Sequence, residues 1–462
     1  MSLLIRKAHV VTPGAEFDAD ILCRDGLVDS LDRPGRTRAD GWDEVLDASG
    51  LVVLPGVIDP HVHSRDPGQT HKEDFAHSTR AAAAGGVTTI LEMPNALPPV
   101  TSAEVLAHRV EQHSKVASVD FGLWGLALGA ESTVDIRDLS KAGAVAIKLF
   151  WGFYFDRETG ALIYDAKGLD EGNLRPPAST GDLWELFIAV AKAKLLLGLH
   201  AEDRGILEVL GRQHGDYDSY DTLLRTRPVA AESSAIASAI EIAMGTEARL
   251  HILHVSSARG IDLVRRAQSD LLRVSAETCP HYLTLTEADY ESVGHGMKVY
   301  PPVRHEDDRK ALWRAINDRI VTSVSSDHAP HSAAEREGVL SDLPAGGQGI
   351  QTMLPVLLNE VTKGTTSLQT LSWALSEGTA RLYRLYPKKG SVLPGTDADF
   401  SIVDMDASWT IDQDRLLTKT KLSPWHNRSG RGRVAATVVR GNVIFRHGEL
   451  SGSPIGQFVR PQ

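Results

Sequence analysis

The chain reads as an α/β protein: a (β/α)8 TIM-like barrel carrying a small β-sandwich domain formed by both chain ends. Two observations predict this. Eight short apolar runs alternate with helical patterns through the middle of the sequence, the signature of βα units around a parallel sheet. The two ends, by contrast, are rich in short runs broken by Gly, Pro and Asp turn signals, as in antiparallel strands.

The N-terminal runs are "LLIRKAHVV", "ADILCRDGLVDSL" and "VLDASGLVVLPG". The C-terminal ones are "ADFSIVDMD", "ASWTI" and "AATVVRGNVIF", the last with a Gly-Asn turn. Pairing the ends makes residues 1–56 plus 390–462 one composite β-domain and leaves 57–389 as the barrel. The barrel strands, in order, are "GVIDPHVH", "VTTILEMP", "VDFGLWGLAL", "AVAIKLF", "LLLGLHAED", "LHILHVSS", "LRVSAETCPH" and "IVTSVSSDHAP". Between the first two, "EDFAHSTRAAAAGG" has a helical pattern that Gly85 and Gly86 end. One connection is unusually long: residues 151–182, with four aromatics (Trp151, Phe153, Tyr154, Phe155) near its start. Such a loop either walls a binding pocket or covers the barrel rim.

With 462 residues the chain accommodates one large barrel and a smaller domain. A net charge of -11 argues against nucleic acid as the main partner. No apolar run is long enough to span a membrane, and "MSLLIRKAHVV" is broken by Arg6 and Lys7 where a secretory segment would stay apolar. Two cysteines, Cys23 and Cys279, speak against a disulfide framework, exclude a Cys-rich zinc site by count and suit a reducing cytoplasm. Any metal must be held by His, carboxylate or lysine-derived groups.

In barrels of this kind the chemistry sits where the strands end. The first strand ends in His61-Val62-His63, whose spacing of two puts both imidazoles on one face. The fourth carries Lys148, the fifth ends in His200, the sixth in His254 and the eighth in Asp327. Each has an ordinary reading: a strand-end His is usually a hydrogen-bonded structural residue, and Asp327 could cap a helix. A lysine in an apolar strand is costly unless paired or chemically altered. Their coincidence at predicted strand ends points to a site for Zn2+ or a similar divalent ion.

The motifs "GVIDPHVH", "AAAAGGVTTILEMPN", "IKLF", "HAED", "HVSS", "ETCPHYLTLTEAD", "PPVR" and "SDHAPH", in this order, resemble the amidohydrolase superfamily, and within it the cyclic amidohydrolases: dihydroorotase, allantoinase and hydantoinase. The resemblance covers nearly the whole chain. It implies two divalent metal ions, Zn2+ above all, one held by His61, His63 and Asp327 and the other by His200 and His254. A CO2-derived carbamate on Lys148 would bridge them. It also implies metal-assisted hydrolysis of a small-molecule cyclic amide, with Asp327 taking the proton of the attacking water and passing it to the leaving nitrogen. A homo-oligomer, dimer or tetramer, is the family's usual assembly. Some relatives have lost their ligands and act as scaffolds; here all six positions are filled.

For the ring, "HVHSRDPG" and "DHAPH" are closest to dihydroorotase, in which Arg65, Asn95 and His331 would contact dihydroorotate. The plain alternatives are an Arg65 salt bridge with Asp66 or Glu73 and a turn role for Asn95 after Pro94. Two features depart from dihydroorotase. Tyr300 in "KVYPPVR" stands where that enzyme has an asparagine touching the substrate ring. "ETCPHYLTLTEAD", "KLSPWHNRSGRGRVAATVVRGNVI" and the aromatic loop read more like allantoinase and hydantoinase. The expected reaction is therefore opening of a cyclic amide, dihydroorotate first, allantoin or a hydantoin or dihydropyrimidine as alternatives.

Overall fold

The computed structural model describes residues 1–164 and 169–462. Eight parallel barrel strands run through the middle of the chain: β1 (Val57–Val62), β2 (Val87–Glu92), β3 (Asp120–Leu123, continued by Gly125–Ala127), β4 (Ile147–Trp151), β5 (Leu196–Ala201), β6 (Arg249–Ile252), β7 (Val274–Thr278) and β8 (Ser323–Val324). Each of the eight sequence runs overlaps one of them, and all but two of the strands, β4 and β6, lie wholly inside their runs. Nearly every residue of β1, β2 and β5 is buried, as expected of strands covered on both faces.

Two interruptions shape the barrel. Trp124 breaks β3, so that its first half pairs with β2 and its second half with β4. The indole turns inward against Gly198 on β5, where a built Cβ would meet the ring at 2.4 Å; only glycine fits there. Trp124 Nε1 donates to the Pro60 carbonyl at 3.1 Å. The circle closes at β8, where Val62 bridges to His328 and the His63 N–H donates to the His328 carbonyl at 2.7 Å. That closure brings the ends of β1 and β8 side by side.

Helices occupy the crossovers. The first, Phe75–Ala84, starts because the Asp74 carboxylate accepts the His77 N–H, and it ends at Gly85, as the sequence predicts.

The chain ends form one nine-stranded mixed sheet. Its order runs Glu449–Leu450, Asn442–Arg446, Ser429–Val439, Phe400–Thr410, Val52–Pro55, Ser2–Val11, Glu16–Arg24 and Leu27–Asp32, with Glu44–Asp47 also pairing with Ser2–Val11. The junction between the two ends is the antiparallel pair Val52–Pro55 with Phe400–Val403. A buried charge cluster ties sheet to barrel. Lys389 Nζ lies 2.5 Å from Asp120 on β3, 2.6 Å from Asp399 and 2.8 Å from Asp397, and Arg440 also pairs with Asp120. Its three carboxylates have the spacing of a metal site, but the lysine ammonium already fills their centre.

The long loop after β4 is partly ordered into a three-stranded sheet of Tyr154–Asp156, Leu162–Ile163 and Leu174–Arg175. Its residues 165–168 lie outside the described residues. No helix among the described residues is long and apolar enough to cross a membrane.

Candidate functional site

His61, His63, Lys148, His200, His254 and Asp327 all line one cavity of about 370 Å3 at the strand ends. They come from β1, β4, β5 and the segments just past β6 and β8. Two donor groups face each other. In the first, His61 Nε2 lies 3.4 Å and His63 Nε2 3.6 Å from Asp327 Oδ1. In the second, His200 Nδ1 lies 3.0 Å from His254 Nε2. Lys148 lines the same cavity on β4, fully buried, and its Nζ has no hydrogen-bond partner among the described residues.

The imidazoles are oriented from behind, and this decides which nitrogen each one offers. His61 donates from Nδ1 to Glu277 Oε1 at 2.6 Å, leaving Nε2 toward the cavity. His63 does the same with Asn95 Oδ1 at 2.7 Å. His200 is held the other way round: Nε2 donates to Glu202 Oε2 at 2.8 Å, so Nδ1 faces His254. His251, the other histidine of the sixth strand, turns away from the cavity to Ser275 and Glu277.

The charge states follow from burial and neighbours. Burial holds His63 down to about 3 and His254 well below the usual imidazole range, so both are neutral with lone pairs free. Burial works to raise the Asp327 carboxyl, but His61, His63 and His254 outweigh it and keep it ionised. Burial brings the Lys148 amine down to about 8. Neutral imidazoles, a carboxylate and an unpartnered buried amine form a donor set fit for divalent cations.

The backbone is strained at three of these positions. Arg65, His254 and Asp327 have φ of 61°, 40° and 45°, in the left-handed region that side chains other than glycine rarely adopt. His254 and Asp327 lie just past the ends of β6 and β8 and line the cavity, while Arg65 lies just past β1.

The four residues expected to contact substrate are distributed differently. Tyr300 lines the cavity. Arg65 lies behind it: Nε donates to the Pro330 carbonyl at 3.2 Å, and the guanidinium approaches His331 Nε2 at 3.3 Å. Neither expected salt bridge, to Asp66 or Glu73, forms among the described residues. His331 packs behind Gly346 of the cavity wall, where a built Cβ would lie 3.3 Å from its Nε2. Asn95 sits outside the wall, beside His63.

The loop aromatics also part company. Phe153 and Phe155 join Phe150 and Leu126 in a small apolar core. Tyr154 donates its hydroxyl to Glu208. The aromatic wall is instead Phe150, Tyr164 and Tyr300. Tyr164 was not foreseen, nor were Glu202, Glu277 and Arg227. The two glutamates carried a signal, since each is an ionisable residue at the end of an apolar strand. Arg227, in "TRPVAAE", carried none.

A family model for the amidohydrolase family matches residues 52–160 and 176–444. An allantoinase of Rubrobacter xylanophilus is 35% identical, covering 100% of this chain and 98% of its own. A dihydroorotase of Geobacter metallireducens is 31% identical over 96% of this chain and 100% of its own. The solved structure of an L-hydantoinase (dihydropyrimidinase) from Arthrobacter aurescens superposes with a TM-score of 0.92 at 30% identity, covering 99% of both chains. These relatives include all three activities that the motifs suggested and do not single out dihydroorotase. Matched from end to end by such proteins, and carrying two facing groups of metal-type donors at its strand ends, the chain is a hydrolase of the amidohydrolase family, in its cyclic-amidohydrolase group.

Proposed function

We propose that this protein opens a cyclic amide ring by hydrolysis with two Zn2+ ions, the ring bearing a carboxylate as in dihydroorotate. One ion would be held by His61, His63 and Asp327, the other by His200 and His254. Lys148, as its carbamate, would lie between them. The observation that carries this is the buried Lys148 Nζ, without a hydrogen-bond partner among the described residues, in a cavity lined by five other donors. A bare ammonium there would be a costly orphan. Lowered to about 8, the amine has an accessible neutral form to react with CO2, and the resulting carbamate offers two anionic oxygens to the cations. When bound, the metals polarise the ring carbonyl and make a water molecule acidic enough to attack it near neutral pH.

The chain's own groups do the rest. Asp327, kept ionised by its histidine neighbours, accepts the proton of the attacking water. As the new C–O bond forms and the ring C–N bond breaks, it returns that proton to the leaving nitrogen. The second proton of the water leaves to solvent, so the products are a carboxylate and an open-chain carbamoyl group with a free amide nitrogen; with dihydroorotate, N-carbamoyl-aspartate. The step is reversible. Phe150, Tyr164 and Tyr300 keep bulk water from the reacting atoms, and burial keeps the Tyr164 hydroxyl protonated as a donor.

The ring's carboxylate is argued from charge. Arg65 and Lys72 approach the His331 ring at 3.3 and 3.4 Å, and Arg336 adds its charge beside them, all buried one layer behind the wall. Among the described residues this group's ion pairs run to Glu335 alone, 2.6 Å from Lys72 and 3.9 Å from His331. Burial and then Arg65 bring Arg336 down to about 10, the mark of crowded positive charge. An anionic group on the ligand would relieve it. A second reading, allantoin or a 5-substituted hydantoin, is favoured by the aromatic wall. A panel of dihydroorotate, allantoin, dihydrouracil and hydantoins decides: turnover of allantoin or hydantoins with dihydroorotate untouched overturns the carboxylate reading. Purified protein without bound metal, inactive on added Zn2+, overturns the hydrolase and favours a scaffold.

In this reading residues 57–389 form the catalytic barrel, with 1–56 and 390–462 as a composite β-domain. The two cysteines, both buried and free, suit a cytoplasmic location, and a homo-oligomer is the expected assembly.

A further inference from the structure

We infer that Arg227 is a positioning residue that couples His200, on the metal side of the cavity, to Tyr300, on the substrate side. Its Nη1 lies 2.5 Å from Glu202 Oε2, the same oxygen that accepts His200 Nε2 at 2.8 Å. Its guanidinium carbon stands 3.3 Å from the centroid of the Tyr300 ring. One planar cation therefore fixes the carboxylate that orients one candidate ligand and forms the bed on which a wall residue lies.

The group is sealed and held from several sides. Glu202 is fully buried, and Arg227 nearly so. Arg227 caps the end of helix Tyr220–Thr226, its N–H donating to the Leu223 carbonyl. Its own carbonyl accepts Arg304 Nη1 at 3.0 Å. Phe153 stands on a further side, 5.6 Å from the guanidinium and 4.6 Å, ring to ring, from His200. Among the described residues, the ion pairs of Glu202 are those with His200 and Arg227. If the guanidinium moves, Glu202 loses its fixed place, and with it His200 Nδ1 loses its aim at His254.

The chemistry calls for arginine. Its planar fork can donate in-plane to a carboxylate while presenting its face to an aromatic ring. A lysine ammonium could keep the ion pair but could not offer a stacking face. This accounts for the tyrosine at position 300: an asparagine side chain there would leave the guanidinium face uncovered. Ring fit and metal geometry thus share one support, so a substrate that displaces Tyr300 also disturbs His200.

The inference deepens the reading of this cavity as a metal-dependent hydrolase site and rests on it. Its test uses the zinc-loaded full chain in six forms: wild type, R227K, R227M, E202Q, Y300N and the double variant R227K/Y300N. Two quantities are read: the rate of zinc release to a colorimetric chelator, and kcat and KM on whichever ring of the panel the wild type opens fastest. R227M and E202Q should release zinc at least ~10-fold faster, the scale of losing a group that orients a ligand. R227K should retain zinc within about twofold of wild type yet raise KM several-fold, as Y300N does, and the R227K and Y300N effects on KM should not add. Wild-type zinc release from R227M overturns the link to His200. Wild-type KM in R227K, or additive KM effects, overturns the link to Tyr300. Should R227M fail to fold, E202Q and R227K carry the two halves. If the wild type opens no cyclic amide, the hydrolase reading fails, while zinc release still decides the His200 half and a crystal structure of R227K decides the other, an unmoved Tyr300 ring overturning it.

Discussion

Glu277 Oε1 and His61 Nδ1 lie 2.6 Å apart, at the ends of β7 and β1 and both sealed from solvent. Burial would raise the Glu277 carboxyl, but His61 and His251 bring it down to about 2, so it is a firm acceptor. This bond fixes the tautomer in which His61 Nε2 faces the cavity. Replacing the glutamate by alanine should weaken zinc retention by about 10–100-fold with little change in KM. Zinc content after dialysis against a graded chelator series checks it; full retention in E277A would show that His61 keeps its aim without help.

Lys148→Ala should lose at least one metal and nearly all activity. Because a free carboxylic acid can take the place of a carbamate's two oxygens, added acetate or propionate should restore part of both. Metal content and turnover, measured side by side, check this, and an active K148A without added acid would dispose of the carbamate.

Arg65→Ala should remove most turnover of dihydroorotate, chiefly through KM, and leave neutral rings much less affected. One charge-assisted contact is worth roughly 1.5–3 kcal/mol, or about 10- to 150-fold in kcat/KM. Equal losses on charged and neutral rings would mean that Arg65 only braces the β1 turn through Pro330.

Lys389→Met should destabilise the chain by about 3–5 kcal/mol, since it strands Asp120, Asp397 and Asp399 without their central cation. The loss is read as a lowered denaturant midpoint. A midpoint unchanged from wild type would mean that Arg440 alone holds the junction.

The same cluster sets a pH dependence. Burial works to raise the Asp120 carboxyl, but Lys389 and Arg440 outweigh it and hold it below the usual carboxylate range. A depressed carboxylate binds fewer protons in the folded state than in the unfolded one. Its stabilisation is therefore complete above about pH 4 and fades as the pH falls through its lowered value. Lys389 is shifted upward by its three carboxylates against the pull of burial, so its share persists until strongly alkaline pH. Unfolding free energy followed from pH 5 to pH 2 should fall less steeply in D120N than in the wild type; identical slopes would assign the acid limb elsewhere.

The barrel was legible because its strands obey a local rule: short apolar runs alternating with helical patterns, several of them closed by a polar residue. His61, His63, His200, His254 and Asp327 were legible for the same reason, as polar residues at the exits of apolar strands. What escaped was set by packing between distant segments. Nothing local distinguishes Asn95 as the partner of His63 from Asn95 as a turn residue. Tyr164 reaches the cavity only through the folding of the long loop, and Arg227 only because the end of a short helix falls behind Glu202. Arg65 stands in the sequence only as a residue two positions beyond His63; that its guanidinium meets the Pro330 carbonyl and His331 is set by the distant 328–331 segment.

The mixed sheet has a consequence for synthesis. Strand Val52–Pro55 leaves the ribosome early, but the strand that covers its edge, Phe400–Thr410, follows only some 340 residues later. At the usual pace of translation that is about 20–70 s. Throughout that time the first strands hold an open edge in a crowded cell, a standing invitation to pair with another nascent chain. The whole barrel sequence emerges within the interval, and the last strands can close the edge only after it. A ribosome stalled just short of residue 400 would therefore hold a polypeptide with a complete barrel sequence and an unpaired Val52–Pro55 edge, the kind of intermediate that chaperones are there to shield.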